Sequence, residues 1–285
     1  MRRSERGVAL ITVLLVTSLA LLIVGAMLRS HRLALNSAAQ HVHHVQLRQL
    51  ALSAEAWALE RLRSLPNDPK AIVALGQAWA IGQPEHDPDN GHIRVRIEDM
   101  AGRFNLTRLL SIGPVDPILG QRWQRLQTHL ELAPLDASVL RGLSLSDISQ
   151  LRQVPGVDAQ WLRRMQPWIV LLPKEAQLNI NTAPATVLAT LEGVTPALAK
   201  RLAAQRPSHG YATVEDFTFT PLLIGLGVNN AGLATHSRWF RIHTQVQWGR
   251  SRLHLESDLE RDLKTGRWHI LQRRLSAPLH SEPAP

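Results

Sequence analysis

Cysteine is absent from the 285 residues, which excludes a disulfide framework, a thiolate metal centre and a thiol nucleophile, and fits any compartment, a periplasm included. No Gly-x-Ser-x-Gly elbow, His-Glu-x-x-His pair or glycine-rich phosphate loop occurs either. The usual hydrolytic, zinc and nucleotide chemistries therefore have no residues to run on, and an enzyme is not expected. Basic residues outnumber acidic ones, 32 Lys+Arg against 23 Asp+Glu for a net charge of +9, yet they never form a run of five. The excess points to an acidic partner such as nucleic acid or anionic lipid, or to cations spread over a large solvated surface.

Charge is missing altogether from Val8 to Leu28. An uncharged apolar run of about 20 residues, at ~1.5 Å per residue, crosses the ~30 Å hydrocarbon core as one helix. A secretory signal peptide has a shorter apolar region of ~7–15 residues and a small-residue cleavage site, and no such site follows Leu28. Arg2, Arg3 and Arg6 precede the run while Arg29 and Arg32 follow it, so charge asymmetry does not set the topology. Glycine and proline are both absent from Ala26 to Leu65, and nothing stops the helix before Pro66-Asn67-Asp68-Pro69. The reading is one rod from Val8 to Ser64, about 85 Å long. On its outer half Leu47, Leu50, Ala51, Ala54, Trp57, Ala58, Leu62 and Leu65 recur at spacings of three and four, a stripe for docking onto a domain.

What the rod docks onto is predicted from period-two patterns. His92–Asp99 alternates Ile93, Val95 and Ile97 with Arg94, Arg96 and Glu98, a strand with one face buried. Trp239–Trp248, Ser251–Glu260 and Gly266–Arg274, separated by turns at Trp248-Gly249 and Lys264-Thr265-Gly266, read as an antiparallel meander. Between these β segments the composition becomes helical and punctuated by Pro and Gly, so a helical module is inserted into a helix-plus-sheet domain. Two weakly similar segments inside it, Val154–Met165 and Leu191–Leu202, each place Gly-Val before an amphipathic helix. Gly156 and Gly193 would supply the positive φ of two helix-to-helix turns.

Leu178–Phe217 also resembles a helix-hairpin-helix, in which backbone amides at a helix N-terminus hold a nucleic-acid phosphate. With an anchor and a basic chain, this opens a second reading, a membrane-anchored DNA-binding protein similar to competence DNA receptors. Such hairpins read Gly-apolar-Gly, whereas Thr195 takes the second glycine's place here and Asp158, a carboxylate that repels phosphate, takes it in the other copy. Lys200, Arg201 and Arg206 remain for backbone contact.

Four segments in order, RGVALITVLLV (residues 6–16), GQAWA (76–80), RVRIEDMAGRFNLTRLL (94–110) and LNINTAPATVLA (178–189), resemble the type II secretion system protein K family, the large minor pseudopilins. The resemblance implies an α+β fold: a pilin-like long N-terminal helix packed on a small antiparallel sheet, with an inserted all-α module of two SAM-like, helix-hairpin-helix-like units. It divides the chain into a leader (residues 1–7), a transmembrane helix (8–28), a helix extension (29–65), a pilin-like domain in two parts (66–105 and 239–275), a helical insert (106–238, units at about 106–173 and 176–235) and a disordered tail (276–285). It implies that prepilin peptidase cuts after Gly7 and methylates Val8. The leader then stays cytoplasmic, which makes this a single-pass inner-membrane protein with its C-terminal domain in the periplasm.

The fifth mature residue is then Thr12, where most pilins carry the Glu that neutralises a neighbour's buried N-terminal ammonium. A subunit without it is a poor addition beneath an existing row but acceptable as the first, and protein K characteristically lacks it. The implied role is to cap the tip of the pseudopilus that drives folded proteins through the outer membrane. The implied partners are minor pseudopilins I and J, with H and the major pseudopilin G beyond them, and not nucleic acid.

No cofactor or metal is expected. Calcium binds an acidic segment of the insert in relatives, but the corresponding stretch here, Thr128–Leu151, offers only Glu131, Asp136 and Asp147 against a usual six to eight oxygen ligands. His41, His43 and His44 have no carboxylate near them before Glu55 and read as a solvated helix face. Asp87, Asp89 and Asn90 sit among Pro and Gly as a polar turn. Asn181 and Thr182 are read as caps of a helix that includes Pro184.

Overall fold

The computed structural model describes residues 4–81, 85–86, 91–249 and 251–276. The polar turn read at Asp87, Asp89 and Asn90, the first three leader residues and the tail beyond Ser276 lie outside the described residues.

One helix, α1 (Ser4–Arg63), carries both the span and its extension. Leu10–Leu35 is long and apolar enough to cross a membrane and touches nothing else in the chain. Past Leu35 the described side chains stay exposed until Leu47, where the helix meets the sheet. The loop just past its end is held from outside: Arg261 donates to the carbonyl oxygens of Pro66 (2.6 Å) and Leu65 (3.4 Å).

The sheet runs β1 (Glu85–His86), β2 (Gly91–Asp99), β7 (Trp239–Trp248), β8 (Ser251–Arg261), β9 (Trp268–Ser276) in that order, antiparallel throughout. The other strands are two-residue pairs, β3 (Phe104–Asn105), β4 (Ile169–Val170), β5 (Leu178–Asn179) and β6 (Leu233–Ala234). Val95, Ile97, Phe240, Ile242 and Leu259 face α1 and bury Ala58, Leu62 and Leu65, with Trp79 set edge-on to Phe240 at 5.1 Å. Nearer the span, Val246 and Leu255 cover Leu47 and Ala51. The apolar face is thus built from the period of two in the strands and of 3.6 in the helix.

Two positions on the rod differ from the predicted stripe. Trp57 is not buried; it is 36% exposed, with the Arg61 guanidinium 5.2 Å from its ring. Glu55 is buried instead, at 4% exposure. Its carboxylate accepts from Arg273 Nη2 (2.6 Å) and Nε (2.8 Å), and from the Ser257 hydroxyl. Between the Asp258↔Gln272 and Leu259↔Ile270 pairs the register slips, leaving Leu271 unpaired. That bulge turns Arg273 to the helix side of the sheet, where the sequence alone would alternate it outward.

The insert leaves the sheet at Asp99 and returns at Trp239, at the end farthest from the span. Its first unit contains α2 (Thr107–Leu110), α3 (Pro117–His129), α4 (Ala137–Leu140) and α5 (Ala159–Met165), around Trp123, Leu126, Leu140, Leu151, Leu162 and Met165. Its second contains α6 (Ala185–Leu188), α7 (Pro196–Ala204) and α8 (Val214–Thr218), around Ile180, Leu188, Leu191, Ala199, Leu202 and Phe217. Each unit is closed at its base by a parallel pair, Phe104↔Ile169 for the first and Leu178↔Leu233 for the second. Gly156 (φ +88°) and Gly193 (φ +71°) take the left-handed conformation expected of the two turns.

Candidate functional site

Three of the segments that carry the family resemblance, far apart in the chain, meet where the insert joins the sheet. Asp99, at the end of β2, is 4% exposed. Its Oδ2 accepts from Asn179 Nδ2 and Thr182 Oγ1, both at 2.7 Å, and its Oδ1 from the Ala101 amide at 2.9 Å. Burial raises the Asp99 carboxyl above its ordinary range, against the hydrogen bonds of Ser237, Thr182, Asn179 and Ala101. Asn179 also donates to the Val73 carbonyl (3.0 Å), tying in the loop before residues 76–80. In that loop Gln77 Oε1 accepts from Trp79 Nε1 (2.9 Å) and the Ala74 amide (3.0 Å). A Cβ on Gly76 would lie 1.9 Å from the Ser208 carbonyl oxygen of the second helical unit, so only glycine admits this approach.

The same junction corrects the capping assignment. Pro184 is itself the N-cap of α6, which has no side-chain cap. Thr182 turns to Asp99, and Asn181 spans to Tyr211, accepting from its amide (2.7 Å) and donating to its carbonyl (3.0 Å). Both side chains are spent on long-range contacts, Asn181 because the backbone polar groups of a packed loop need partners and Thr182 because the buried Asp99 carboxylate needs donors. Asn105 does likewise in the first unit, accepting from the Leu172 amide (3.1 Å) and donating to the Pro173 carbonyl (2.9 Å).

The two helical units are locked to each other by α3. Arg122, 5% exposed, sets its guanidinium against Glu192 (3.0 and 3.1 Å) and donates to the carbonyls of Asn229 (2.7 Å) and Ala231 (2.8 Å). One turn on, Arg125 donates to the Thr190 carbonyl (3.1 Å), and His129 Nε2 lies 2.9 Å from the Ala189 carbonyl. Burial works against the Glu192 carboxylate, but the Arg122 hydrogen bond and charge outweigh it and hold it below its usual range.

The hairpins themselves are closed to a phosphate. Thr195 accepts from the Leu198 amide (3.3 Å) and Asp158 from the Trp161 amide (2.6 Å), so each helix N-terminus is capped by its own chain. A Cβ on Gly193 would lie 3.1 Å from Leu226 Cβ, which shows how closely the hairpin is covered. Arg206 is engaged internally, donating to the Ala183 carbonyl (2.5 Å).

On the sheet face turned away from α1, the sequence read only solvated polar residues, and the structure shows a connected belt. Glu98 pairs with Arg103 (2.6 Å) and His243 Nε2 (2.9 Å), while His243 Nδ1 faces Glu256 (3.4 Å). Arg274 joins Asp258 (2.6 Å) to Asp147 of the insert (2.8 Å). Burial opposes ionisation of Glu98, but the His243 hydrogen bond and the Arg103, His243 and Arg96 charges bring it down to about 2. At Glu256 the His243 hydrogen bond leads, with Arg241 and Arg274 adding to it against burial, and the result is also about 2.

Among the described residues no group of three or more His, Asp or Glu is placed to hold a metal ion. His41, His43 and His44 stand exposed on α1. Asp136 caps α4, accepting from the Ser138 amide (2.7 Å), Asp147 accepts from the Ser149 amide (2.8 Å), and Glu131 pairs with Arg164 (3.2 Å). Gly7 and Val8 fall within α1, and Thr12 is on the exposed surface of the span.

An apolar N-terminal helix docked on an antiparallel sheet, with a helical module between β2 and β7, defines a pilin-like subunit. Comparison with known proteins agrees. Residues 178–236 match the family described as type II secretion system (T2SS), protein K. Type II secretion system protein K of Pseudomonas aeruginosa is 31% identical over 96% of this chain and 93% of its own length, and that of Klebsiella pneumoniae 26% over 96% and 97%. A chain of the crystal structure of the GspK-GspI-GspJ complex from the enterotoxigenic Escherichia coli type 2 secretion system superposes with a TM-score of 0.69, at 22% identity, over 85% of this chain and 99% of that one. The protein belongs to the type II secretion system protein K family, and is a minor pseudopilin.

Proposed function

We propose that this chain caps the tip of the type II secretion pseudopilus and is needed there for export of folded proteins across the outer membrane. One observation carries the reading: the two-unit helical insert rises from the end of the sheet farthest from the span and is fixed there by the buried Asp99–Asn179–Thr182 contacts. A rigid mass in that position covers the surface on which a further subunit would sit. Thr12 at the fifth mature position fits a subunit with no neighbour above it to neutralise.

In this account prepilin peptidase cleaves between Gly7 and Val8 and methylates Val8, and the anchor sits in the inner membrane with the domain in the periplasm. The helix packs beside minor pseudopilins I and J, then H and the major pseudopilin G. The role is assembly and not catalysis, and the insert takes no calcium because the three acidic side chains of residues 128–151 already serve as caps and ion-pair partners. The DNA-receptor alternative is disfavoured by the capped helix N-termini and covered Gly193. Intact mass and N-terminal sequencing of protein from membranes, with and without prepilin peptidase, test the proposal. A methylated Val8 only when the peptidase is present, with I and J co-purifying, is the expected result; an intact Met1, or salt-sensitive binding of duplex DNA, would overturn it.

A further inference from the structure

Between Glu5 and Glu55 the chain has no carboxylate, while Arg29, His31, Arg32, His41, His43, His44 and Arg48 all lie in that interval. All seven are exposed on α1, from the end of the uncharged run to the first contacts with the sheet. The first carboxylate reached, Glu55, is buried and committed to Arg273 and Ser257, so it neutralises none of them. At about 100° per residue their side chains point around the whole circumference of the helix instead of along one side. A partner helix would meet one face; a layer of headgroups surrounds the helix and meets Arg29, His31 and Arg32 on whichever side they point.

We propose that the base of this stalk, through Arg29 and Arg32, binds the headgroups of anionic phospholipids in the leaflet from which it emerges. The proposal rests on the membrane-anchor reading above. Arg29, His31 and Arg32 directly follow the apolar run and enter the headgroup layer, about 5–7 Å thick, donating to phosphate oxygens. His41, His43 and His44 stand about 14–18 Å beyond Arg32 along the helix, more than a Debye length (~8–10 Å), so the contact is made at the base of the stalk. The attraction is electrostatic and grows with each cation near the anionic surface. The consequence is a subunit seated deeper, with its domain held nearer the membrane, wherever anionic lipid is plentiful.

The natural absence of cysteine makes the test direct, because one introduced cysteine gives a unique label. The full chain is placed in nanodiscs of phosphatidylcholine alone or with about a third phosphatidylglycerol, carrying an environment-sensitive dye at Leu35→Cys or, separately, at Leu21→Cys. Acrylamide, a neutral quencher, reads how exposed each dye is. The Leu21 dye should be shielded in both lipids; if it is not, the anchor reading fails and the headgroup proposal with it. With Leu21 shielded, phosphatidylglycerol should cut quenching of the Leu35 dye by about twofold, and roughly 0.5 M salt should abolish the difference between lipids. The Arg29→Gln/Arg32→Gln variant should abolish it at low salt too. A Leu35 dye quenched equally in both lipids, or shielded only when another protein is added, overturns the proposal.

Discussion

Replacing Arg122 by Met should separate the two helical units of the insert energetically while keeping the apolar stem. Arg122 is 5% exposed and holds both Glu192 oxygens and the carbonyls of Asn229 and Ala231. Removing one member of a buried ion pair typically costs about 3–5 kcal/mol, because the other charge stays behind without its partner. Here the lower end applies, about 3 kcal/mol, since Glu192 keeps the Asn229 amide (3.1 Å) and Arg125 (3.4 Å). Replacing both members by apolar groups should cost less than either single change, because no stranded charge remains. Urea unfolding of the full chain in detergent, followed by the fluorescence of Trp123 and Trp161 in the first unit, measures this. A double-mutant cycle over Arg122→Met and Glu192→Met should give a coupling energy of at least about 1.5 kcal/mol. A loss below about 1 kcal/mol for Arg122→Met, or additive singles, would refute the claim that this pair locks the units.

Gly76→Ala should lower the melting temperature, because its Cβ would sit 1.9 Å from the Ser208 carbonyl oxygen and the loop must move; overpacking of this kind costs about 1–3 kcal/mol, and an unchanged melting curve would remove Gly76 from the junction. Asp99→Asn should cost about 1–3 kcal/mol in the same assay, since its new amide N–H group faces donors where the carboxylate accepted them. Glu98 and Glu256 have folded values of about 2 against an ordinary 4.5, so their stabilisation is complete above pH 4.5 and is lost as the pH falls through that interval. Acid titration of tryptophan fluorescence should therefore show the sheet loosening below pH 4.5, and His243→Phe, which removes the group both carboxylates face, should move that loosening to higher pH. Adding calcium or a chelator should leave the melting temperature unchanged; a rise with calcium would show a site the acidic side chains do not reveal.

The sheet was legible in the sequence because its strands have one buried face, and alternation then records position directly. The strand read at His92–Asp99 runs Gly91–Asp99, and that read at Trp239–Trp248 has those same ends. The rod was legible for the converse reason, that nothing in it breaks a helix before Pro66. What the sequence could not disclose depends on partners remote in the chain. Glu55 looks like any surface carboxylate until the bulge at Leu271 brings Arg273 beneath it. Asn181 and Thr182 read as local caps because short polar side chains usually serve the nearest backbone, yet here they reach Tyr211 and Asp99. Arg122 falls on the buried stripe of α3 with Leu119, Trp123 and Leu126, but nothing local names its partner, because Glu192 lies 70 residues on in a loop.

The most direct test of tip capping uses the exposed side chain of Ile112, at 93% accessibility on the helical insert. Ile112→Cys, biotinylated and marked with gold on pseudopili sheared from cells, should place a single label at one end of each filament. Labels spaced along the filament would contradict the account, because they would mean that the insert allows subunits to add above it.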